Sequence, residues 1–585
     1  MDRNTVIAFI LIGLIFLLWM SPWYRENVVG VQPLPADSTA VQEMAPDTTA
    51  LSAGTQKPSR IQPSRAPDSK PVTAIQIDTI KDTVITLKNK LVELQLSSKG
   101  GGTLTSWKLI DKNVDDKTKY RYRISIQDNS PVEMIPENAE GNLAVTTDRG
   151  FQFGQIPFQV TEDSYIDDIR TIKFSRTLEN GAVLEKTFIL HPDANHLNMK
   201  IRMAGFQWDQ IGEKYMLEWN SGLKPTEPNL KDDLMYYEAI ALQGDDLTKQ
   251  KKKGGTEFRD GDTHWTAVRT KYFLMAIIPE ETGIGAELFV EEQDDWKTMR
   301  ADLAMPWHGY PEETQSFKVF LGPIDYHLLK SYNAGLEKSM SWGMKIIKPF
   351  SIGALYALQY LYGKLHNYGW AIILFAILIK IVLYPLTRHS YKSMHAMQAL
   401  QPEMNKIREQ YKSNPQKMNE KTMELYKKHG VNPMGGCLPM LLQMPVLFAL
   451  FNLFRSTIML RHAEFLMIKD LSAPDHILGS VNLLPLIMGG AMIIQQRLSS
   501  AQNSQQKAMT FMMPIFLTFI FYRFSSGLNL YYLIFNIFTI AQELFIKRGD
   551  DVKKALKILP GLIFSPAQVQ KLIAKKPSEE DSENT

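Results

Sequence analysis

Cysteine is almost missing. A single one, Cys437, stands in 585 residues, so structural disulfides within the chain and cysteine-based zinc centres are excluded. Cys437 lies in an apolar stretch and reads as a small core residue. No phosphate-binding P-loop is present. Gly100-Gly101-Gly102 lacks the Lys-Ser/Thr that should follow and reads as a turn. No HExxH zinc motif occurs, and His191 and His196 sit in a Pro/Asp/Asn-rich stretch that reads as a solvated loop. The run Lys251-Lys252-Lys253-Gly254-Gly255 reads as a loop tip. A large charge excess is missing too. A net charge of +3 gives no global field for nucleic acid, so DNA is not an expected partner. With no catalytic constellation, the sequence is read as a non-enzyme without cofactor or metal.

The averages describe an ordinary soluble protein, with a mean hydropathy of -0.18 and 22% charged residues. The apolar residues are nevertheless segregated to the start and the last part of the chain. Residues 5–20 are almost wholly apolar and are followed by Trp23 and Tyr24, so 1–24 reads as a retained transmembrane signal anchor, with a cleaved signal peptide as the competitor. Residues 25–71 are rich in Pro, Ser, Thr, Ala and Gln and read as a flexible linker. Over 72–326 the period becomes two. Val92, Leu94 and Leu96 alternate with polar residues, as do Leu197, Met199, Ile201 and Met203. Asn180-Gly181 between two such runs signals a hairpin. An all-β sandwich is predicted here.

Residues 327–366 turn to helical spacing. Phe350, Ile352, Leu355, Leu358 and Leu361 predict an amphipathic helix on a membrane surface. Five apolar runs follow, at 367–387, 435–455, 481–497, 508–523 and 527–546, which with the anchor predicts six transmembrane helices. Between the second and third spans, 388–434 carries nine cations: Arg388, Lys392, Lys406, Arg408, Lys412, Lys417, Lys421, Lys427 and Lys428. The loop 456–480 and its Arg455 flank carry three, the short loop 498–507 joins the next two spans, and the tail 547–585 opens Lys547-Arg548. The bias toward cytoplasmic Lys and Arg then places both termini and the nine-cation loop in the cytoplasm, and the β domain in the periplasm.

Lys380 interrupts its span roughly 10 Å from the end near Thr387. It reads either as a snorkelling lysine or as a charge facing a wet cavity. Gln443, Gln495, Asn529 and Asn536 are further polar groups in the spans, with Gln496 and Gln542 near them, and suggest a polar cleft. No carboxylate is expected beside Lys380, since Glu543 reads as lying near a cytoplasmic end. That counts against an ion-coupled transporter or channel, the alternative function. The loop 388–434 predicts two helices, 389–410 and 416–429, as an antiparallel hairpin. Met394, Met397, Met404, Met418 and Met423 on it suit either varied apolar partners or the hairpin's own seam.

Tyr384-Pro385-Leu386-Thr387, then Asn432-Pro433-Met434-Gly435-Gly436-Cys437-Leu438-Pro439, then Gln443-Met444-Pro445, and later Ser526-Gly527-Leu528 with Tyr531-Tyr532 resemble the YidC family of membrane protein insertases. The motifs occur in the family's order, and the anchor plus β domain resembles its Gram-negative form. The resemblance implies an insertase and chaperone of the inner membrane. Its hydrophilic groove, open to the cytoplasm, would receive nascent membrane proteins from the ribosome, alone or with the Sec translocon. It implies that Lys380, where the family usually has Arg, attracts the client's hydrophilic segment, and that Tyr531 and Tyr532 touch the sliding apolar segment; interface or packing tyrosines are the other reading of that pair. It implies a sugar-binding-type supersandwich for the β domain, which assigns no sugar binding.

Overall fold

The computed structural model describes residues 81–110, 130–137, 139–255, 258–293, 296–431, 438–477, 479, 481–499 and 504–558. The expected anchor (1–24), the linker (25–71), the stretch 432–437 of the Asn-Pro-Met-Gly-Gly-Cys motif and the tail beyond 558 lie outside the described residues.

Alternating residues build the β-rich part. Leu94 and Leu96 are buried in Val92–Ser97, which pairs with Val84–Lys88 and Thr103–Leu109 in a four-stranded sheet. Leu197, Met199, Ile201 and Met203 point into the core from His196–Ala204, a strand of a 14-stranded sheet. One hydrophobic cluster takes side chains from both sheets: Leu94, Leu96 and Trp107 from the first, Phe174, Phe188 and Met199 from the second. The strand Phe273–Pro279 is a continuous apolar run and is buried at every position. Phe273, Met275 and Ile277 join the shared core, while Leu274, Ala276 and Ile278 enter a second cluster on the opposite face. Leu329 of the short helix Tyr326–Ser331 and Leu336 of the turn Leu336–Ser339 cover that second face. This part of the expected interfacial segment therefore packs on the sheet, because the sheet's second apolar face has to be covered.

The Asn180-Gly181 signal closes a hairpin between Ile169–Thr177 and Val183–Leu190, with Gly181 at φ 84°. The glycine run makes a tight turn with positive φ throughout, and a Cβ on Gly102 would lie 2.1 Å from the Phe188 ring. The Gly100 carbonyl has a further use. Lys186, on the buried face of its strand, donates from Nζ to Gly100 O at 2.8 Å and Leu143 O at 2.6 Å. His196 is half-buried, with Nδ1 3.0 Å from the Tyr332 hydroxyl, rather than solvated.

Burial pulls the Lys186 ammonium down to about 7, opposed by Glu218. The unfolded chain keeps that proton to about pH 10.4. Between these values the unfolded state binds more protons, so this group makes stability rise with pH. Thermal unfolding of the full-length protein in detergent at pH 7 and pH 9.5 checks it. Lys186→Met should lower stability at both, by orphaning two carbonyls, and should flatten the rise. Equal slopes in both proteins would refute the assignment.

The C-terminal region is helical: α1 (Lys348–Leu365), α2 (Tyr368–Ala399), α3 (Gln401–Gln410), α4 (Pro415–Lys428), α5 (Leu438–Ser456), α6 (Leu483–Ser499), α7 (Ser504–Phe521) and α8 (Ser526–Ile558). Helix α8 packs on α2, α5 and α6, and α1 packs on α2 and α5. Tyr368–Pro385 of α2 and Ser526–Phe545 of α8 are long and apolar enough to cross a membrane; Leu483–Leu498 and Met512–Phe521 are shorter apolar helices. Ile381, Val382, Ile494, Ile515, Phe519 and Phe545 are exposed, an apolar surface that water would not tolerate at this density.

Three details differ from expectation. Leu355, Leu358 and Leu361 of α1 are buried, so that stripe faces the bundle, while Phe350, Tyr356 and Tyr360 are exposed. Helix α2 does not stop at Thr387 but runs through Pro385 to Ala399. A proline removes one helical hydrogen bond without ending a packed helix; the break comes at Leu400, where Pro402 starts α3. Helix α8 likewise continues to Ile558, into the segment expected as tail.

Candidate functional site

Two contacts fix how α2 meets α8. Lys380 Nζ lies 3.8 Å above the Phe535 ring, and Gln542 Nε2 donates to Thr387 Oγ1 at 2.8 Å. Both pairs are 155 residues apart, so the helices run parallel in constant register. Lys380 thus enters the bundle and not the outer apolar surface; it is only 7% exposed. The ring face gives the ammonium a cation–π partner.

A polar stripe lines the same side of α8. Asn529, Asn536, Thr539 and Glu543 are all buried, at helical spacings of seven, three and four. Asn536 Nδ2 has no hydrogen-bond partner among the described residues. Asn529 has a structural task, since its Nδ2 donates to Phe521 O at 3.2 Å and Phe524 O at 3.3 Å and ties the turn between α7 and α8. Gln443 Nε2 of α5 is buried with no hydrogen-bond partner among the described residues. Gln495 of α6 is half-buried.

Tyr531 and Tyr532 are both buried, which fits the packing reading of the pair. Their centroids are 5.2 Å apart, with Phe375 6.2 Å from Tyr531 and Phe521 5.2 Å from Tyr532. Neither hydroxyl has a hydrogen-bond partner among the described residues. The aromatic residues pack the interior because α8 is covered by α2, α5 and α6 at this level.

Glu543, read from the sequence as lying near a cytoplasmic end, is 0% exposed and continues the buried polar stripe of α8. The signal was present: Glu543 stands seven residues after Asn536 and fourteen after Asn529, on one face of a helix.

In the α3–α4 pair, Leu400, Met404, Leu425 and Tyr426 form a small core, with Met397 partly buried against it and the Tyr426 hydroxyl 3.1 Å from Met404 Sδ. Met418 is half-buried and Met423 is exposed. The Met394 side chain lies outside the described residues. The methionines are thus divided between seam and surface.

One more cluster escaped the sequence. Arg461, after α5, donates from Nε to Glu227 Oε1 at 2.7 Å, with both side chains buried. Arg455 lies 3.4 Å from Asp232, which Lys271 also contacts at 2.7 Å. Ile458 is a member of the β core. These groups bolt the helical region to the β-rich part. No group of three metal-ligating side chains occurs among the described residues.

Apolar helices with an outward apolar surface and an inward lysine, carrying a β-rich domain, define a membrane protein with a polar interior site. Two family models match the chain: the 60Kd inner membrane protein over residues 360–554 and the YidC periplasmic domain over 84–351. The membrane protein insertase YidC of Chlorobaculum tepidum is 33% identical over 602 residues, covering 98% of this chain and 100% of that protein. That of Prosthecochloris aestuarii is 34% identical, covering 98% and 99%. A solved active YidC insertase covers 78% of this chain and 91% of its own, at 20% identity and a TM-score of 0.34. The chain belongs to the YidC family of membrane protein insertases, and its β-rich part is the family's periplasmic domain.

Proposed function

We propose that the chain inserts apolar segments of newly made membrane proteins into the bilayer, and assists their folding, through a polar groove between α2, α5, α6 and α8. The observation that carries this reading is Lys380, a buried cation beside the polar side of α8. A polar client segment crossing bare lipid leaves backbone groups unsatisfied at several kcal/mol each. The free hydrogen-bonding capacity of Gln443 Nε2, Asn536 Nδ2 and the Tyr531 and Tyr532 hydroxyls supports a hydrated path. The ammonium attracts the acidic or polar part of the client, Gln495 lines the groove's α6 side, and the apolar part passes to the outer helix surfaces. Tyr531 and Tyr532 meet a client only where it enters between the helices.

The topology proposed is six spans in the bacterial inner membrane, both termini cytoplasmic. The α3–α4 hairpin is cytoplasmic, its exposed Lys406, Lys412, Lys417 and Lys428 facing ribosome-held chains. The Sec translocon is a proposed partner, met through the periplasmic domain. A photocrosslinker at position 380 should capture a ribosome-held nascent chain, and one at exposed Phe519 should capture only its apolar segment. Capture from Phe519 but not from position 380 would reject the groove.

A further inference from the structure

The loop between α5 and α6 holds a small hairpin. Phe465 and Ile468 exchange two backbone hydrogen bonds of 2.8 Å, and Leu471 N donates to Ala463 O at 2.9 Å, so Leu466 and Met467 form a two-residue turn. They are 82% and 71% exposed. Such a turn in water calls for Gly, Asn or Asp, which tolerate positive φ and are well solvated. Here Leu466 takes φ 50°, which a leucine adopts only at a cost. Strain and exposure both run against local preference, as they do at functional positions.

The base of the hairpin is seated on the head of α2. Ala463, Phe465, Ile468 and Leu471 are buried. The Phe465 ring packs edge-on against Trp370, with centroids 5.4 Å apart. A Cβ on Gly369 would collide with that ring, so glycine is what lets it approach. Asn367 Nδ2 donates to Glu464 O at 3.1 Å. Trp370 is itself exposed, and it shares a helix face with Leu374, Ile377 and Ile381, at spacings of four, three and four. Leu374 and Ile377 are half-buried and Ile381 is exposed. This face is the apolar outer stripe of a helix long enough to cross a membrane.

We propose that the Leu466–Met467 turn is an apolar wedge held in the periplasmic leaflet of the bilayer beside the first turn of α2, with lipid as its partner. The outer stripe of α2 leads to the hairpin through Trp370, and tryptophan settles at headgroup level. That continuity favours lipid over a protein partner. Glu464 and Lys469 stand next to Phe465 and Ile468 at the base and are exposed, placed to reach headgroups while the tip goes deeper. The wedge fixes the depth of α2 from its first turn. It thereby sets the level of Lys380, ten residues after Trp370 and about 15 Å further along the axis. The choice of leaflet rests on the topology proposed above; the lipid contact is a further assignment.

The test uses the full-length protein in vesicles of phosphatidylethanolamine and phosphatidylglycerol. Cys437 is the sole cysteine, so Cys437→Ala gives a background for single nitroxide labels. Labels at Leu466→Cys and Met467→Cys are compared with Phe519→Cys on the outer surface of α7 and Glu179→Cys in the periplasmic domain. All four positions are exposed, and detergent melting curves verify folding. Power saturation reads collisions with oxygen, which dissolves in lipid, and with a polar nickel chelate, which stays in water. Both tip labels should favour oxygen, as Phe519→Cys does, while Glu179→Cys favours nickel. Tip labels that behave like Glu179→Cys, or that are shielded from both reagents as in a protein contact, would overturn the wedge. A water-exposed Phe519→Cys label would instead reject the membrane reading of the bundle. Leu466→Asn with Met467→Gly suits the turn better and should melt no lower in detergent. In vesicles the same pair should shift a label at Trp370→Cys toward the nickel reagent. No shift there would overturn the claim that the tip sets the depth of α2.

Discussion

Lys380→Ala and Lys380→Glu should each cut insertion of clients with acidic translocated segments by tenfold or more, while Lys380→Arg keeps most of it. The size follows from the environment. A unit-charge pair at 4 Å is worth about 1 kcal/mol in water and about 4 kcal/mol at an effective dielectric of 20. A buried amine beside a partly hydrated path lies between these limits, and 1.4 kcal/mol is already a factor of ten. The glutamate variant should be the worse of the two, because it adds a second anion to a bundle that already holds Glu543. Lys380→Met, which keeps the buried volume while removing the charge, should lose the same insertion and melt close to the parent in detergent. Loss of insertion without loss of stability separates a functional cation from a packing residue. The measurement is a depletion-rescue assay with matched acidic and neutral clients. Indistinguishable insertion by the Ala, Glu and Arg variants would remove Lys380 from the mechanism.

What was legible in the sequence depended on range. Period-two alternation marked Val92–Ser97 and His196–Ala204, since a residue's face in a strand is a local property. Lys380 stood out because a charge within an apolar run breaks a local rule. The failures are non-local. Glu543 looked like a helix-end residue because the chain turns basic just after it; only the continuation of α8 to Ile558 and its packing on α2 bury it. Tyr531 and Tyr532 carry the same composition whether they face lipid or core, and the neighbours Phe375 and Phe521 decide. The stripe on α1 reads as a membrane face because amphipathicity shows that one side is buried, not what buries it. Arg461 and Glu227 are 234 residues apart, and no pattern links them.

That last pair sets the second large effect expected. Arg461 has no exposed side-chain surface, and Glu227 has 8%. The guanidinium also lies 5.6 Å from the Phe273 ring, so it is inserted into the periplasmic domain. Removing one partner of a buried pair leaves the other charge uncompensated, which costs about 3–5 kcal/mol. Here the remaining group has further anions near it. Burial first, and Glu227 second, already hold the Asp233 carboxyl up at about 6, and Asp470 is raised by burial while Arg461 works against that rise. Arg461→Met should therefore destabilise the junction strongly. It should speed hydrogen exchange in 226–237 and in the loop after α5, but leave β-strand amides far from it, such as those of Val183–Leu190, protected. Arg461→Met with Glu227→Leu should recover much of the loss, because two apolar groups of similar volume replace the buried charges. The same logic bears on truncation. Removing the β-rich domain alone exposes Ile458 and strands Arg461, so deletion combined with Arg461→Ser and Ile458→Ser should yield more folded bundle than deletion alone. If Arg461→Met changes exchange at the junction by no more than a surface substitution does, about 0.5 kcal/mol, the pair does not clamp the two parts.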